Sequence, residues 1–270
     1  MEITSTNNDR IKFIKKLLKS SKERNEAGIY IVEGIRMFKE IPEDSIDAIY
    51  VSNSFYEKNK DIVDKFNLEP FVVSDNIFNS ISDTGTPQGV LALVKMNQYT
   101  LDDLLGKYSN KNISSLDKCD DEPFIIIAER LQDPGNAGTI IRTAEGAGAT
   151  GIILSKDSVD IYNPKVVRST MGSIFRVPVY VSQDLVADIG ILKDKGVIIY
   201  GAHLKGENFF DKDYSKPCGF LIGNEGNGLS DEISATADEL IKIPMKGKVE
   251  SLNAATSVAV IGYEVLKQRL

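Results

Sequence analysis

Apolar residues along the chain follow two rhythms. In DRIKFIKKLLKSSKER, residues 9–24, Ile11, Ile14, Leu17 and Leu18 recur at helical spacing and leave Lys12, Lys15, Lys16, Lys19 and Lys22 on the other faces. That pattern predicts an amphipathic helix with a basic exposed side. The short apolar runs GIYIVE, IDAIYVSNSF, LEPFVVSD and QGVLALVKM predict strands, and GIRMFKEI a second amphipathic helix. Residues 1–97 therefore read as a small α/β domain. Residues 98–122 are polar, with Asn, Ser and Asp clusters, and read as a linker. From 123 to 270, strand-like FIIIAE, TGIILS, RVPVYVS, GVIIYGAHL, CGFLIGNEG and IKIPM alternate with helical AGTIIRTAEGAG, NPKVVRSTMGS, LVADIGILKDK, LSDEISATADEL and LNAATSVAVIGYEVLKQRL. Such alternation predicts an α/β domain with a mainly parallel sheet covered on both sides.

In sheets of this kind ligands sit beyond the carboxyl ends of the strands. One candidate there is the G-x-G-x-x-G spacing of Gly146, Gly148 and Gly151. A dinucleotide loop needs a strand before the glycines and a helix after them. Here the order is reversed: Asp133-Pro134-Gly135 makes a turn, Asn136 is placed to cap the following helix, and Gly146 or Gly148 ends it in the left-handed conformation before TGIILS. About twenty residues on, near Arg168, there is no carboxylate to hold a ribose. The nicotinamide reading is excluded.

Composition narrows the chemistry further. Cys119 and Cys218 are far apart with no C-x-x-C spacing, and His203 is the only histidine. Neither a disulfide framework nor a metal site is expected. No apolar run reaches membrane-spanning length, and the N-terminus lacks a signal-peptide pattern, so a cytoplasmic protein is expected. The net charge of −7 argues mildly against nucleic acid. The lysine face of the first helix argues the other way, and a solvated face and an RNA contact fit it equally.

Three polar signatures follow strands: Asn136, Gly138 and Arg142 as N-x-G-x-x-x-R, then IGNEGNGLS, then IPMKGKVESLNAATSVA. In this order they resemble the three motifs of the SpoU (TrmH) family of S-adenosylmethionine-dependent RNA ribose 2′-O-methyltransferases, within the SPOUT class. RSTMGSIFRVPV resembles the family's middle segment. The first hundred residues are similar, more loosely, to the family's substrate-binding extension, which favours ribosomal RNA, most of all 23S RNA, over tRNA. A binding module that has lost activity is the remaining alternative, and none of the three motifs is broken.

The resemblance implies a deep trefoil knot, a homodimer, and a cofactor held largely by backbone groups. Carried over by motif, Gly223, Ile243 and Leu252, with Ala202, are the cofactor positions; core packing is the other reading of Ile243 and Leu252. Gly223 and Gly226 suit a pocket that leaves no room for side chains. Arg142 is the motif arginine, which the family reading makes a proton acceptor. A guanidinium stays protonated, so gripping the target phosphate is the expected role. A surface pair with Glu145 is the competing one. Asn136 positions substrate or caps a helix. Ser251 and Asn253 serve as ligands or caps, and Glu225 orients Asn136 or Arg142 or is a solvated turn residue. Lys12, Lys15, Lys16, Lys19 and Arg142 are the candidate RNA contacts. The C-terminal helix is rich in small residues, which fits close packing against a partner helix or against its own domain.

Overall fold

The computed structural model describes residues 2–106 and 122–270. Cys119 lies outside them. The chain divides into two compact units, residues 1–97 with 160–175, and residues 98–159 with 176–270.

The first unit is built on a five-stranded sheet in the order β1-β4-β3-β5-β2. The strands are β1 (Glu2–Ile3), β2 (Ile29–Glu33), β3 (Ile46–Ser52), β4 (Phe71–Val73) and β5 (Val90–Lys95). β5 runs antiparallel to β2 and β3, and the other pairs are parallel. Successive residues point to opposite faces of a strand, and both faces are covered here. Tyr30, Val32, Ile49, Val51, Ala92 and Val94 join one buried cluster, while Ile31, Ala48, Tyr50, Leu91 and Leu93 join another. The basic helix α1 (Asp9–Lys19) buries Ile11, Ile14 and Leu17 in the second cluster.

Several local outcomes differ from the sequence expectation. The run IDAIYVSNSF is a strand only to Ser52, whose hydroxyl accepts the Phe55 N–H and starts helix α4 (Asn53–Val63). Ser74 caps α5 (Asp75–Ile81) in the same way. Residues 160–175, expected in the second domain, belong to the first unit. Their helix α8 (Pro164–Ser169) puts Val167 into the first cluster, joined by Ile174. Buried Arg24, on helix α2 (Ser21–Ala27), donates from Nε to Asp160 Oδ2 at 3.0 Å and also reaches the Leu17 carbonyl.

The second unit carries a six-stranded parallel sheet in the order β11-β9-β10-β6-β7-β8. Its strands are β6 (Phe124–Ala128), β7 (Gly151–Ser155), β8 (Val179–Ser182), β9 (Ile198–Asn208), β10 (Cys218–Ile222) and β11 (Glu239–Lys242). Every residue of β6, β7 and β10 is buried, as a two-sided parallel sheet requires. In IKIPM the strand ends at Lys242, and residues 243–253 are irregular. The stretch expected as linker contains a short helix, α6 (Leu101–Leu105). A Thr100–Asp103 capping box starts it, and its Leu104 and Leu105 are buried in the second unit's core.

Helix α7 (Pro134–Gly146) packs against the C-terminal helix α11 (Ala254–Arg269). A Cβ on Gly262 would stand 3.0 Å from that of Ala147, so Gly262 serves close packing within the chain. The strand order reverses at β6: the chain builds β7 and β8 on one side, then β9, β10 and β11 on the other. The carboxyl ends of β6 and β10 therefore flank a topological switch point, where α/β sheets bind ligands.

Candidate active site

The segment after β6 turns sharply. Arg130 has φ +51°, which only a well-anchored non-glycine residue sustains. Its N–H donates to Ser155 Oγ at 2.8 Å, and its carbonyl accepts Asn224 Nδ2 at 2.8 Å. Buried Glu129 pairs with Arg130 Nε at 3.2 Å and accepts the Ser230 N–H at 2.8 Å. Helix α7 then begins with Asp133, not Asn136, as its N-cap. The Asp133 carboxylate accepts the Asn136 N–H at 2.7 Å, and Pro134 takes the first helical position. Acid then proline is a strong start signal, because the carboxylate meets the helix dipole and proline has no N–H to leave unpaired. Asn136, in the first turn, keeps its side chain free for another role.

After β10, Gly223 allows a close return of the chain: a Cβ there would lie 2.1 Å from Gly228 C and Leu229 N. The space is filled by the protein's own backbone, so internal packing, not ligand clearance, explains this glycine. At Gly226 only Asn224 Oδ1 lies nearby, 3.5 Å from a Cβ placed there. Asn224 ties the loop to itself, its Oδ1 accepting the Gly226 and Asn227 N–H groups at 2.9 and 3.2 Å. Sequence reasoning did not single out Glu129, Arg130 or Asn224, and it placed Asp133 in a turn but not as the helix cap. Of these, Asp133-Pro134 carries the cap signal and Asn224-x-Gly226 suits an Asx turn.

The three motif segments meet at Asn136. Its Nδ2 donates to Glu225 Oε1 at 2.9 Å, and its Oδ1 accepts from Asn253 Nδ2 at 2.9 Å. Glu225 also accepts the Asp133 and Gln132 N–H groups at 3.3 and 3.4 Å. Burial pushes the Glu225 carboxyl up, but the Asn136 side chain and these backbone donors outweigh it and hold it below the ordinary glutamate value. Asn253 also caps α11, its Oδ1 accepting the Ala255 N–H at 2.9 Å. Both amide ends of Asn136 are thus engaged, which fixes its orientation.

Arg142 is not drawn into this network. It is exposed on α7 and has no ion pair among the described residues. The competing pair with Glu145 does not form. Glu145 is instead held by Arg176, whose NH2 donates at 3.1 Å beside a second contact from Nε. Ser251 is exposed and makes no hydrogen bond among the described residues.

Ala202, Gly223, Ile243 and Leu252 are all half-buried, neither core nor open surface. Gly223 and Ile243 lie just past the carboxyl ends of β10 and β11, and Ala202 lies within β9, one residue past its last pairing with β10. Beside them is a pocket of about 570 Å³, lined by Leu204, Asn208, Lys242, Pro244, Met245, Val249 and Glu250. None of the four positions lines it, but Ile243 is flanked in sequence by two of its residues. Among the described residues, no hydrogen bond ties the backbone of 244–252 to the rest of the chain. Backbone donors and acceptors open to a ligand, beside a pocket of small-molecule size, fit a cofactor held mainly by main-chain groups.

Of the lysines on α1, Lys12 pairs with Asp9 at 3.2 Å and Lys16 lies 3.9 Å from Glu23. Lys15 and Lys19 have no ion pair among the described residues. Among those residues there is also no cluster of three or more metal-ligating side chains, and no helix long and apolar enough to cross a membrane.

Comparison with known proteins gives two family matches: the SpoU rRNA Methylase family over residues 123–263, and the MRM3-like substrate binding domain over residues 8–92. The chain is 27% identical to the 23S rRNA (guanosine(2553)-2′-O)-methyltransferase RlmP of Bacillus subtilis, over 98% of each chain. The structure of an AdoMet-bound rRNA methyltransferase from Sinorhizobium meliloti matches with a TM-score of 0.83 at 28% identity, covering 100% of this chain and 98% of that one. The SpoU methyltransferase AviRb from Streptomyces viridochromogenes, in complex with the cofactor AdoMet, matches with a TM-score of 0.81 at 28% identity, covering 97% and 99%.

Proposed function

The chain belongs to the SpoU rRNA methylase family, and on that premise we propose that it transfers a methyl group from S-adenosylmethionine to a ribose 2′-hydroxyl of 23S ribosomal RNA. The observation that carries the reading is the junction at Asn136, where hydrogen bonds join all three motif segments at the switch point of the sheet. S-adenosylmethionine, when bound, supplies an electrophilic methyl group, and the ribose oxygen must approach it in line. Backbone groups around Ala202, Gly223, Ile243 and Leu252 would hold it.

The protein's task is therefore positioning, which can account for much of such a rate enhancement. Asn136 is the positioning residue, locked by Glu225 and Asn253. Glu225 is held ionised by its donors, which makes it a poor proton acceptor; it acts through Asn136. Arg142, exposed and without an ion partner among the described residues, has a guanidinium available for the phosphate of the target nucleotide. Ser251 offers a hydroxyl beside Asn253. In the first unit, Lys15 and Lys19, together with Lys12 and Lys16 once their weak surface pairs open, would meet the RNA backbone. The reading includes the trefoil knot, and a homodimer acting in the cytoplasm.

Arg142→Ala tests the assignment. Transfer to ribosomal RNA should disappear while S-adenosylmethionine affinity, measured by calorimetry, stays within about twofold; retained turnover would remove Arg142 from the mechanism. A monomer by sedimentation would overturn the dimer.

A further inference from the structure

The first unit contains a second pocket, of about 360 Å³, at the carboxyl end of β3 and beside the first turns of α4 and α5. Its floor is apolar: Phe55 and Phe78 line it and are buried. Gly89, with φ +86°, lies against that floor; a Cβ there would stand 2.6 Å from the Phe55 Cβ and 2.8 Å from Ser52 Oγ. No other residue fits without moving the floor.

The rim is polar and already oriented. Gln88 Oε1 accepts the Ile35 N–H at 2.8 Å, so its amide NH2 is the end left for a ligand. Asn59 Nδ2 donates to the Phe55 carbonyl at 3.1 Å, leaving its Oδ1 as an acceptor. Asn79 adds another amide. Lys58 and Asp75 give the rim one charge of each sign, and Asp75 accepts from Ser54 Oγ at 2.7 Å. Hydrogen bonds from Ser54 and Ser52 hold the Asp75 carboxyl below its ordinary value. An ionised carboxylate at the mouth disfavours a phosphate but accepts an N–H.

We propose that this pocket receives one unpaired nucleobase of the RNA substrate. A cleft closed at its base by buried apolar side chains suits a flat heterocycle, and preset donor and acceptor amides suit its edge, as in the reading of splayed single-stranded bases. A base with an exocyclic amino or ring N–H group suits Asp75. The inference rests on the RNA-methyltransferase reading, and makes the first unit a reader of unpaired sequence rather than only a basic surface.

The test uses the full chain, with unmodified large-subunit ribosomal RNA as the ligand in a filter-retention assay that needs no turnover. Gln88→Glu keeps the acceptor for Ile35 N–H and removes the NH2. Asn76→Asp adds the same charge on α5, outside the pocket lining, as the control. Gln88→Glu should weaken RNA binding about tenfold and Asn76→Asp less than twofold, with no change in S-adenosylmethionine affinity. A single-stranded oligonucleotide should compete better than its duplex against the wild type, and this preference should vanish in Gln88→Glu. Equal effects of the two variants, or no effect of either, overturn the pocket. Methyl transfer by the wild type, scored separately, tells whether the enzymatic reading stands.

Discussion

The lock on Asn136 makes a quantitative demand. Glu225→Ala removes the acceptor at 2.9 Å from the Asn136 amide, together with two longer backbone contacts. Hydrogen bonds to charged groups contribute about 1.5–3 kcal/mol. Because Glu225 is exposed, the lower end applies, and about 1.5 kcal/mol corresponds to roughly a tenfold fall in kcat/KM. Asn136→Ala removes the same bond from the other side and takes the acceptor from Asn253 as well, so its loss should be at least as large. Residues in one network are not additive: the double variant should fall short of the product of the two losses by about 1 kcal/mol, or roughly fivefold.

The assay is steady-state transfer of labelled methyl to ribosomal RNA, with circular dichroism to confirm folding. The pH dependence follows from the sign of the shift. The folded carboxyl titrates below its ordinary value, so its contribution is fully present above about pH 4.3 and is lost only as pH falls through the lower, folded pKa. Between pH 6 and 9 the ratio of wild-type to Glu225→Gln rates should therefore be flat. Undiminished turnover in Glu225→Ala, or strictly multiplicative losses, would refute the idea that Glu225 works through Asn136.

Other consequences are as direct. Arg176→Ala takes a cation from Glu145, and since a pair between Glu145 and Arg142 on α7 contributes only a few tenths of a kcal/mol, transfer should slow by no more than about twofold. Adding Glu145→Gln should restore the rate, and a loss that persists would give Arg176 a different role. Gly223→Ala forces a Cβ into the returning chain at Gly228 and Leu229. It should cost about 1–3 kcal/mol in chemical denaturation and weaken S-adenosylmethionine binding; an unchanged protein would contradict the close approach. Burial pushes the Cys218 thiol up to about 12, so iodoacetamide at pH 8 should spare it in the native protein and modify it in denaturant. Rapid native alkylation would mean that β10 opens readily.

What could be read in advance was what local pattern controls. The two faces of β3 are plain in the alternation of Ala48 and Tyr50 with Ile49 and Val51. Gly148 does follow α7 with φ +76°, where the Gly148 N–H to Glu145 and Ala149 N–H to Ala144 bonds form a Schellman motif. The errors arise where a distant partner decides. Arg24 and Asp160 are 136 positions apart, and no periodicity announces that they draw residues 160–175 into the first unit. Asn136 looked like a cap because asparagine caps well, but Asp133-Pro134 does so better and releases Asn136 to join Glu225 and Asn253. A glycine at 223 suits close approach of a ligand, and the sequence does not show that Gly228 and Leu229 fill the place a Cβ would take there. The short helix α6 escaped notice in a polar context, although Thr100 and Asp103 carried its capping box.

The central claim is ribose methylation of ribosomal RNA by this three-segment site. The decisive measurement supplies labelled S-adenosylmethionine with unmodified 23S ribosomal RNA and, separately, tRNA, then maps alkali-resistant linkages, which mark 2′-O-methylation. The account predicts one labelled, alkali-resistant position in 23S RNA, absent with Arg142→Ala. Label confined to tRNA, or label that alkali releases with ordinary nucleotides, would contradict it.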